Sequence, residues 1–259
     1  MPELPEVETI VNDLAPLLAG RTIERVEVIA PLVCKTPLDS MPPQRILSVR
    51  RHGKNILVEC ASGLLSIHLG MTGKLLVDGE RTPYTRVIFH LDGGELLYDD
   101  VRQFGRIHWH LVMPERLSAL GPDPLSITTE EFVERLRARR GHVKPLLLNQ
   151  TFLRGLGNIY VDESLFRAGI HPNATAARLS KPRASALHAA IQSVLCTAIA
   201  HRGSSISDYV DASGERGGFQ LLHQVYGKEG EPCAVCGAII RRTVIAQRGT
   251  HFCPQCQRR

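Results

Sequence analysis

The chain has 259 residues, of which 43% are hydrophobic and 22% charged, with a formal net charge of +5. This composition is typical of a globular protein and excludes an intrinsically disordered chain. No apolar stretch reaches the roughly 18 residues that a membrane-spanning helix needs. The basic excess permits nucleic-acid binding, although many basic proteins never bind nucleic acid.

The N-terminus, residues 2–6 with the sequence Pro-Glu-Leu-Pro-Glu, has groups suited to covalent catalysis. Pro2 is small enough for an aminopeptidase to remove Met1, which leaves a secondary amine able to form a Schiff base with an aldehyde-like carbon. Such an α-amino group has a pKa of about 7.7 to 8.0, so part of it is neutral at physiological pH. Glu3 adds a carboxyl group for proton transfer. Taken alone, these residues are better explained as an ordinary helix start.

The next elements form a β half followed by a helical half. Apolar residues at helical spacing predict a helix from Val7 to Leu18. Short strand-like runs between Thr22 and about Leu111, interrupted by Gly and Asp, predict an antiparallel β domain. After a turn-rich stretch at 120–125, four helices are predicted, at Thr129–Arg140, Val143–Asn149, Ile159–Ala168 and Pro182–His201. A cleft between the two halves is the expected place for a ligand.

A tight turn, Gly155-Leu156-Gly157-Asn158, precedes the helix predicted from Ile159. Glycines let backbone amides approach a phosphate, and a helix N-terminus adds positive potential there. Asn158 can add a side-chain donor. Lys144 lies in the short helix before this turn, and we predict that both residues bind DNA. A plain helical-hairpin turn is the alternative.

Two C-x-x-C pairs, Cys233/Cys236 and Cys253/Cys256, lie 16 residues apart. This spacing predicts one structural zinc ion held by four thiolates. A redox dithiol would not require the matched second pair. The other cysteines, Cys34, Cys60 and Cys196, have no such spacing.

The segment between the pairs is cationic: from Ala238 to Arg259 there are arginines but no lysine and no acidic residue. An arginine at a hairpin tip can donate paired hydrogen bonds to a phosphate. Arginines that only solvated an exposed finger would be balanced by acidic residues, and none is present. The pattern therefore favours contact with a nucleic-acid backbone.

The chain resembles the bacterial formamidopyrimidine-DNA glycosylases, which share the helix-two-turn-helix group with the endonuclease VIII enzymes. The resemblance runs nearly end to end and rests on five motifs in the family's order: residues 2–9, His68-Leu69-Gly70-Met71, residues 98–105, residues 155–160 and residues 248–257. Five motifs in order are far more specific than any one of them.

The resemblance implies a role for individual residues. Pro2 and Glu3 correspond to the nucleophile and its acid, with Lys54 assisting, and Glu6 has a supporting role. Arg248 is implied both as a catalytic residue and, with Asn158, as a grip on phosphates beside the lesion. His68 and Lys54 contact the DNA backbone. Three further residues would fill the space left by the extruded nucleotide: Met71, Arg102 and Phe104. Without the resemblance, Met71 and Phe104 would be taken as core residues, and His68 fits a core position equally well.

The implied activity is excision of oxidised purines from double-stranded DNA, followed by β,δ-elimination. Two departures from the family pattern affect damage recognition: Gln103 replaces a common arginine, and the segment from Leu75 to Arg86 is short. The segment from Ser204 to Gln220 corresponds to the loop that caps the everted base, where we expect backbone amides to act.

Two alternatives remain. An endonuclease VIII-type enzyme would prefer oxidised pyrimidines, although Leu4 and the set of Met71, Arg102 and Phe104 favour the purine branch. A non-catalytic DNA-binding protein would keep the zinc finger and show salt-dependent binding without strand cleavage.

The predicted fold is therefore of the α+β class: an N-terminal antiparallel β-sandwich with a flanking helix, a helix-two-turn-helix domain and a zinc-finger hairpin. The expected bounds are 1–116 for the catalytic domain, 117–126 for a linker, 127–223 for the helical domain and 224–259 for the finger. We expect a monomer that binds damaged DNA and no membrane. Zinc-binding cysteines and the lack of a signal peptide favour the reducing cytosol.

Overall fold

The structure is a computed structural model that describes residues 1–206 and 209–258. Its contacts divide the chain into two compact units, Met1–Ser118 with Ile199–Gln220, and Ala119–Ala198 with Leu221–Arg259. These units group residues by packing. The four-part domain division expected from the sequence is a different partition and stays a prediction.

The described residues of the first unit form two α-helices and eight strands. The helices are α1 (Leu4–Leu18) and α2 (Glu115–Ser118). The strands are β1 (Thr22–Val28), β2 (Gln44–His52), β3 (Asn55–Cys60), β4 (Gly63–His68), β5 (Lys74–Val77), β6 (Thr85–Leu91), β7 (Gly94–Asp99) and β8 (Arg106–His110). Neighbouring strands pair antiparallel in the order β5-β7-β6-β1-β2-β3-β4-β8. The predicted N-terminal helix and antiparallel β domain are confirmed.

The eight strands form two packed halves. β1 and β2 pair only through Thr22 with Arg45 and Ile23 with Gln44, so the sheet is nearly divided at this point. Apolar side chains from both halves, including Phe89 and Ile67, join one buried cluster with α1. Burial of this shared apolar surface is what holds the halves together, and the predicted sandwich is confirmed.

The described residues of the second unit form four α-helices, the last of which ends two residues inside the first unit, followed by a two-stranded hairpin. They are α3 (Thr129–Arg137), α4 (Val143–Leu148), α5 (Asn158–Arg167), α6 (Lys181–Ala200), β9 (Arg241–Ile245) and β10 (Arg248–Phe252). Thr128 caps α3 by accepting a hydrogen bond from the backbone of Glu131. Each predicted helix is present, with ends that differ from the prediction by at most three residues.

Within residues 1–206 and 209–258, no helix has the length and apolar character needed to cross a lipid bilayer.

Candidate active site and nucleic-acid interface

The N-terminus of α1 holds two carboxyl groups beside Pro2. Glu3 and Glu6 form a capping box, in which the Glu3 side chain accepts from the Glu6 backbone and Glu6 Oε2 accepts from the Glu3 N–H at 2.8 Å. Both residues are nearly completely buried, with 4% and 2% of their surface exposed, and Pro2 is buried as well. Residues 2–6 therefore do form the start of a helix, as the simpler interpretation predicted, and this helix start also fixes two carboxylates next to the proposed nucleophile.

Glu6 also fastens the segment that follows α6 to this helix. Its Oε1 atom accepts a hydrogen bond from the Ser204 N–H at 2.7 Å. Gly203 has φ +79°, and a Cβ added there would lie 2.7 Å from Glu6 Oε1, so only glycine fits this approach. The hydroxyl of Tyr209 donates to the Glu6 carbonyl at 3.4 Å. Glu6 therefore joins the N-terminus to the segment expected to cap the base.

Lys54 lies in the two-residue turn between β2 and β3. Gly53, with φ 63°, precedes it, as the first central position of a tight hairpin requires. In the sheet register, Asn55 after the turn pairs with His68 on β4. The turn thus places Lys54 near the end of β4, where His68 lies.

His68 is a neutral imidazole surrounded by positive charge. Burial, and then the charges of Lys54, Arg106, Arg116 and the N-terminus, lower its pKa to about 4. Its Nδ1 atom accepts from the Gly70 N–H at 3.1 Å, so the neutral ring carries its proton on Nε2 and can donate it to an anion. Because the N-terminus and Lys54 both act on this ring, the structure groups the predicted nucleophile region with Lys54 and His68.

Met71, Arg102 and Phe104, called here the tip residues, lie together on two adjacent loops. The Arg102 guanidinium lies 4.6 Å from the centroid of the Phe104 ring, and its Nη1 donates to Met71 Sδ at 3.2 Å. Met71 is 40% and Phe104 53% exposed, which fits insertion into DNA and not a place in the core. Gln103, with φ 54°, makes the turn between Arg102 and Phe104.

Asp100, which has no role in the sequence-based predictions, joins the two loops of the tip residues. It is fully buried, its Oδ1 accepts from Thr72 Oγ1, and its Oδ2 accepts from the Gly105 N–H at 2.8 Å and from the Tyr98 hydroxyl at 3.3 Å. Thr72 Oγ1 in turn accepts from the Arg102 N–H at 3.0 Å. In the sequence, only its position directly after a predicted strand distinguishes Asp100.

Hydrogen bonds within the segment from Ser204 to Gln220 hold it in place. Residues 207 and 208 of this segment lie outside the described part of the chain. The Ser205 N–H donates to Gln220 Oε1, and the Ser205 hydroxyl accepts from the Gly217 N–H, both at 2.9 Å. Asp211 Oδ1 accepts from two further backbone amides of this segment. Several of the amides expected to meet an everted base are thus engaged within the protein in this structure.

In the second unit, a buried ion pair supports the zinc-finger hairpin. Lys144 and Asp162 are both fully buried, with Lys144 Nζ 2.6 Å from Asp162 Oδ1. Nζ also donates to the Gly249 carbonyl at 3.2 Å, and Asp162 Oδ2 accepts from the His251 N–H at 2.9 Å. A direct contact between Lys144 and DNA does not fit this burial, and we assign Lys144 to the positioning of Gly249.

Asn158 and Arg248 are held by the same hairpin. Asn158 Nδ2 donates to the Gly249 carbonyl at 2.8 Å, which leaves the second N–H of its amide for another acceptor. Arg248 directly precedes Gly249 at the start of β10 and is exposed. Both predicted phosphate ligands are thus tied to Gly249, Asn158 by a hydrogen bond and Arg248 by the chain. Asp162, which organises them, was missed because its partners are distant in sequence.

The four predicted zinc ligands converge at the other end of the hairpin. The Sγ atoms of the four cysteines all lie within 4.8 Å of one another, with Cys233 and Cys256 3.9 Å apart and Cys236 and Cys253 3.5 Å apart. Four thiolates about 2.3 Å from a tetrahedral zinc would lie about 3.8 Å apart, so the cluster fits this ion. Cys233 and Cys253 are buried in an apolar cluster with Phe166 of α5.

These features define a class of protein: a β-sandwich whose N-terminal helix begins with two buried carboxylates beside Pro2, combined with a helical unit and a four-cysteine zinc finger. Three family models match the chain: the formamidopyrimidine-DNA glycosylase N-terminal domain over residues 1–107, the H2TH domain of the same enzymes over 120–210, and a zinc finger found in FPG and IleRS over 230–259.

Individual proteins are similar over the full length. A formamidopyrimidine-DNA glycosylase of Solibacter usitatus is 49% identical, with all of both chains covered. The crystal structure of the MutM (Fpg) protein from Thermus thermophilus matches with a TM-score of 0.90 and 42% identity, covering 99% of this chain and 98% of that one. A Lactococcus lactis FPG mutant in complex with DNA containing Fapy-dG matches with a TM-score of 0.89 and 36% identity over both whole chains. The chain belongs to the formamidopyrimidine-DNA glycosylase family.

Proposed function

We propose that the protein excises oxidised purines from double-stranded DNA and then cleaves the strand at the abasic site. The observation that carries this function is the N-terminus itself. In a chain of this family, Pro2 lies beside the buried carboxylates of Glu3 and Glu6, and the N-terminus is close enough to His68 to influence its pKa. The Lactococcus relative, bound to DNA containing Fapy-dG, supports oxidised purines as the substrate class.

The chemistry requires Met1 to be removed, which frees the Pro2 nitrogen. The Pro2 nitrogen attacks C1′ and gives up its N–H proton, and the damaged base leaves with the C1′–N bond electrons and a proton. Glu3 protonates the ring oxygen O4′, and the C1′–O4′ bond breaks with its electrons going to O4′, which leaves a ring-opened iminium between C1′ and the Pro2 nitrogen. The resulting iminium withdraws electrons, so a proton is lost from C2′ and the 3′ phosphate leaves. Loss of a second sugar proton expels the 5′ phosphate, which leaves a one-nucleotide gap. Water then hydrolyses the iminium and releases the sugar fragment from the Pro2 nitrogen. No electrons enter or leave the system.

DNA binding is divided between the two units. In the first, Lys54 and His68 hold backbone phosphates and the tip residues replace the extruded nucleotide, because exposed apolar and guanidinium groups can restore stacking and pair with the widowed base. In the second, Asn158 and Arg248 hold phosphates. One zinc ion, bound by four cysteines, keeps the hairpin folded, since four thiolates leave no open position for catalysis.

We also propose that the protein works in the bacterial cytoplasm, associated with the nucleoid through DNA. The thiolates of the zinc finger support this location, because zinc binding by cysteine requires the reduced state that the cytosol maintains.

The proposal is tested with three matched duplexes, containing 8-oxoguanine, thymine glycol or no lesion. We expect excision and cleavage of the first, with phosphate on both ends of the gap. Preference for thymine glycol would favour the endonuclease VIII-type alternative, and salt-dependent binding without any cleavage would favour the non-catalytic one.

A further inference from the structure

We propose that Arg106 and Arg116 form an additional binding site for DNA backbone phosphate, on the face of β4 and β8 that continues outward from Lys54 and His68. The proposal extends the DNA-binding role given above and rests on it. It adds a contact that the family resemblance did not suggest, since neither arginine belongs to the residues implied by it.

The sheet register places these groups in one row. Arg106 pairs with His68, His108 pairs with Ser66, and His110 pairs with Leu64. Residues opposite each other in an antiparallel pair point to the same face, and so do alternate residues along a strand. At about 3.3 Å per residue, the row runs about 13 Å from Arg106 to His110, which is about four base pairs of duplex DNA.

Arg116, on α2, lies over this row. Its Nη2 atom lies 3.0 Å from His108 Nδ1, 3.4 Å from Ser66 Oγ and 3.5 Å from His110 Nε2. The two imidazoles are stacked with their centroids 5.3 Å apart. The Nη2 atom thus holds the guanidinium against the sheet, while the residue as a whole remains exposed. Its Nε and Nη1 atoms can therefore donate hydrogen bonds to two oxygens of a phosphate.

The groups that orient Arg116 do not neutralise it. Burial, with the charges of Arg116 and others, lowers the pKa of His108 to about 4, and burial and Arg116 lower the pKa of His110. Both rings are therefore neutral at physiological pH and act as hydrogen-bond acceptors. The positive charge of Lys35 also acts on His108, and burial, followed by the charge of Arg106, lowers the pKa of Arg116.

No carboxylate offsets this charge in the part of the chain that the structure describes. Neither Arg106 nor Arg116 forms a salt bridge there, in contrast to Arg50 and Arg81, which pair with Glu59 and Glu95. Two guanidinium groups on one face of the sheet, neither in a salt bridge among the described residues, favour an anionic ligand. Since the row begins at His68, the anion that fits is the next stretch of DNA backbone.

The test measures how affinity for a duplex containing an uncleavable abasic-site analogue depends on salt. Removing one phosphate ligand lowers the slope of log affinity against log salt by about 0.9. We expect this reduction in Arg116→Gln and in Arg106→Gln, and an unchanged slope in Arg116→Lys, which keeps the charge. Arg45→Gln is the matched control, because Arg45 is exposed on the same unit at the far end of β2 from the Lys54 turn.

Arg106→Gln guards against a folding artefact, since Arg106 lacks the side-chain bonds that tie Arg116 to the sheet. An unchanged slope in either glutamine variant would overturn the two-arginine site, as would an equal reduction in Arg116→Lys. Cleavage of 8-oxoguanine duplex by the unmodified protein is measured in parallel. Its absence would refute the proposed function, whereas retained cleavage with unaltered slopes would refute only this site.

Discussion

The carboxylate of Asp100 accepts a hydrogen bond from the hydroxyl of Thr72 at 2.5 Å, and this contact joins the loop of Met71 to the loop of Arg102 and Phe104. The second oxygen of Asp100 holds the Gly105 N–H, and a Cβ at Gly105 would lie 1.6 Å from the Tyr98 hydroxyl, so the loops meet without space for a side chain. The tip residues are thus held in place by a buried charge before DNA is bound.

Replacing Asp100 with Asn is expected to slow lesion excision about tenfold or more. The amide NH₂ of Asn cannot accept the hydrogen bonds that the second carboxylate oxygen now accepts. Each hydrogen bond to a charged group is worth about 1.5–3 kcal/mol. A loss of about 1.4 kcal/mol in the transition state corresponds to a tenfold lower rate. Single-turnover excision of 8-oxoguanine checks this, with 2-aminopurine fluorescence beside the lesion reporting unstacking. Asp99→Asn is the control and should stay near wild type, since the one side-chain bond of Asp99 among the described residues is that accepted from the Thr82 hydroxyl. Equal rates for both variants would contradict the role of Asp100.

Replacing Lys144 with Met is expected to destabilise the second unit by about 3–5 kcal/mol, because Asp162 would remain buried without its countercharge. DNA affinity should fall as well, since Gly249 and its neighbour Arg248 lose their support. Denaturant unfolding and DNA binding measure the two effects, with Lys181→Met, an exposed lysine of the same unit, as control. A variant of normal stability with reduced affinity would instead indicate that Lys144 contacts DNA directly.

His68 is expected to make DNA binding pH-dependent. A phosphate beside the neutral ring raises its pKa above the free value of about 4, so the complex takes up a proton and affinity rises as the pH falls below about 6.5. His68→Gln should remove this component, as binding curves between pH 5 and 7 would reveal. A ring titration by NMR that shows the same midpoint with and without DNA would contradict the expectation.

The His68 ring also makes the free energy of unfolding depend on pH. Because the folded state lowers the pKa of His68, its neutral form contributes stability that is present above pH 6.5 and is lost as the pH falls toward 4. The difference in unfolding free energy between wild type and His68→Gln should therefore shrink across that range. A difference that grew with acidification would mean that the folded state favours the charged ring.

Zinc removal is expected to abolish tight DNA binding. The finger has a small apolar cluster that includes two of its cysteines, so without the metal it lacks most of what keeps it folded. Chelation should release one zinc per chain, lower affinity at least tenfold and be reversed by added zinc. Full DNA affinity in a metal-free sample would contradict the structural role.

The sequence predicted best where the signal was local. The cysteine pairs, the α1 start and the turn at Gly157 each depend on residues close together in the chain, and all three appear as expected. Met71 and Phe104 show the limit of periodicity: their pattern fits a core, and only the family resemblance pointed to their exposed position.

The roles of Asp162, Arg116 and Lys144 could not be predicted, because the residues that they contact are far away in the sequence. Asp162 meets His251, 89 residues away, and Arg116 reaches Ser66, 50 residues away. Lys144 was predicted to bind DNA from its place before the Gly155–Asn158 turn, whereas packing places it against Asp162, which no local pattern marks. Such contacts depend on strand register and helix packing, which a single sequence does not specify.

The identity of the nucleophile is tested most directly by trapping the protein on 8-oxoguanine duplex with borohydride and mapping the adduct by peptide mass spectrometry. We predict that the tryptic peptide from Pro2 to Arg21, without Met1, carries the reduced deoxyribose fragment on its terminal nitrogen. An adduct on Lys54 or another lysine, with the N-terminal peptide unmodified, would contradict this assignment.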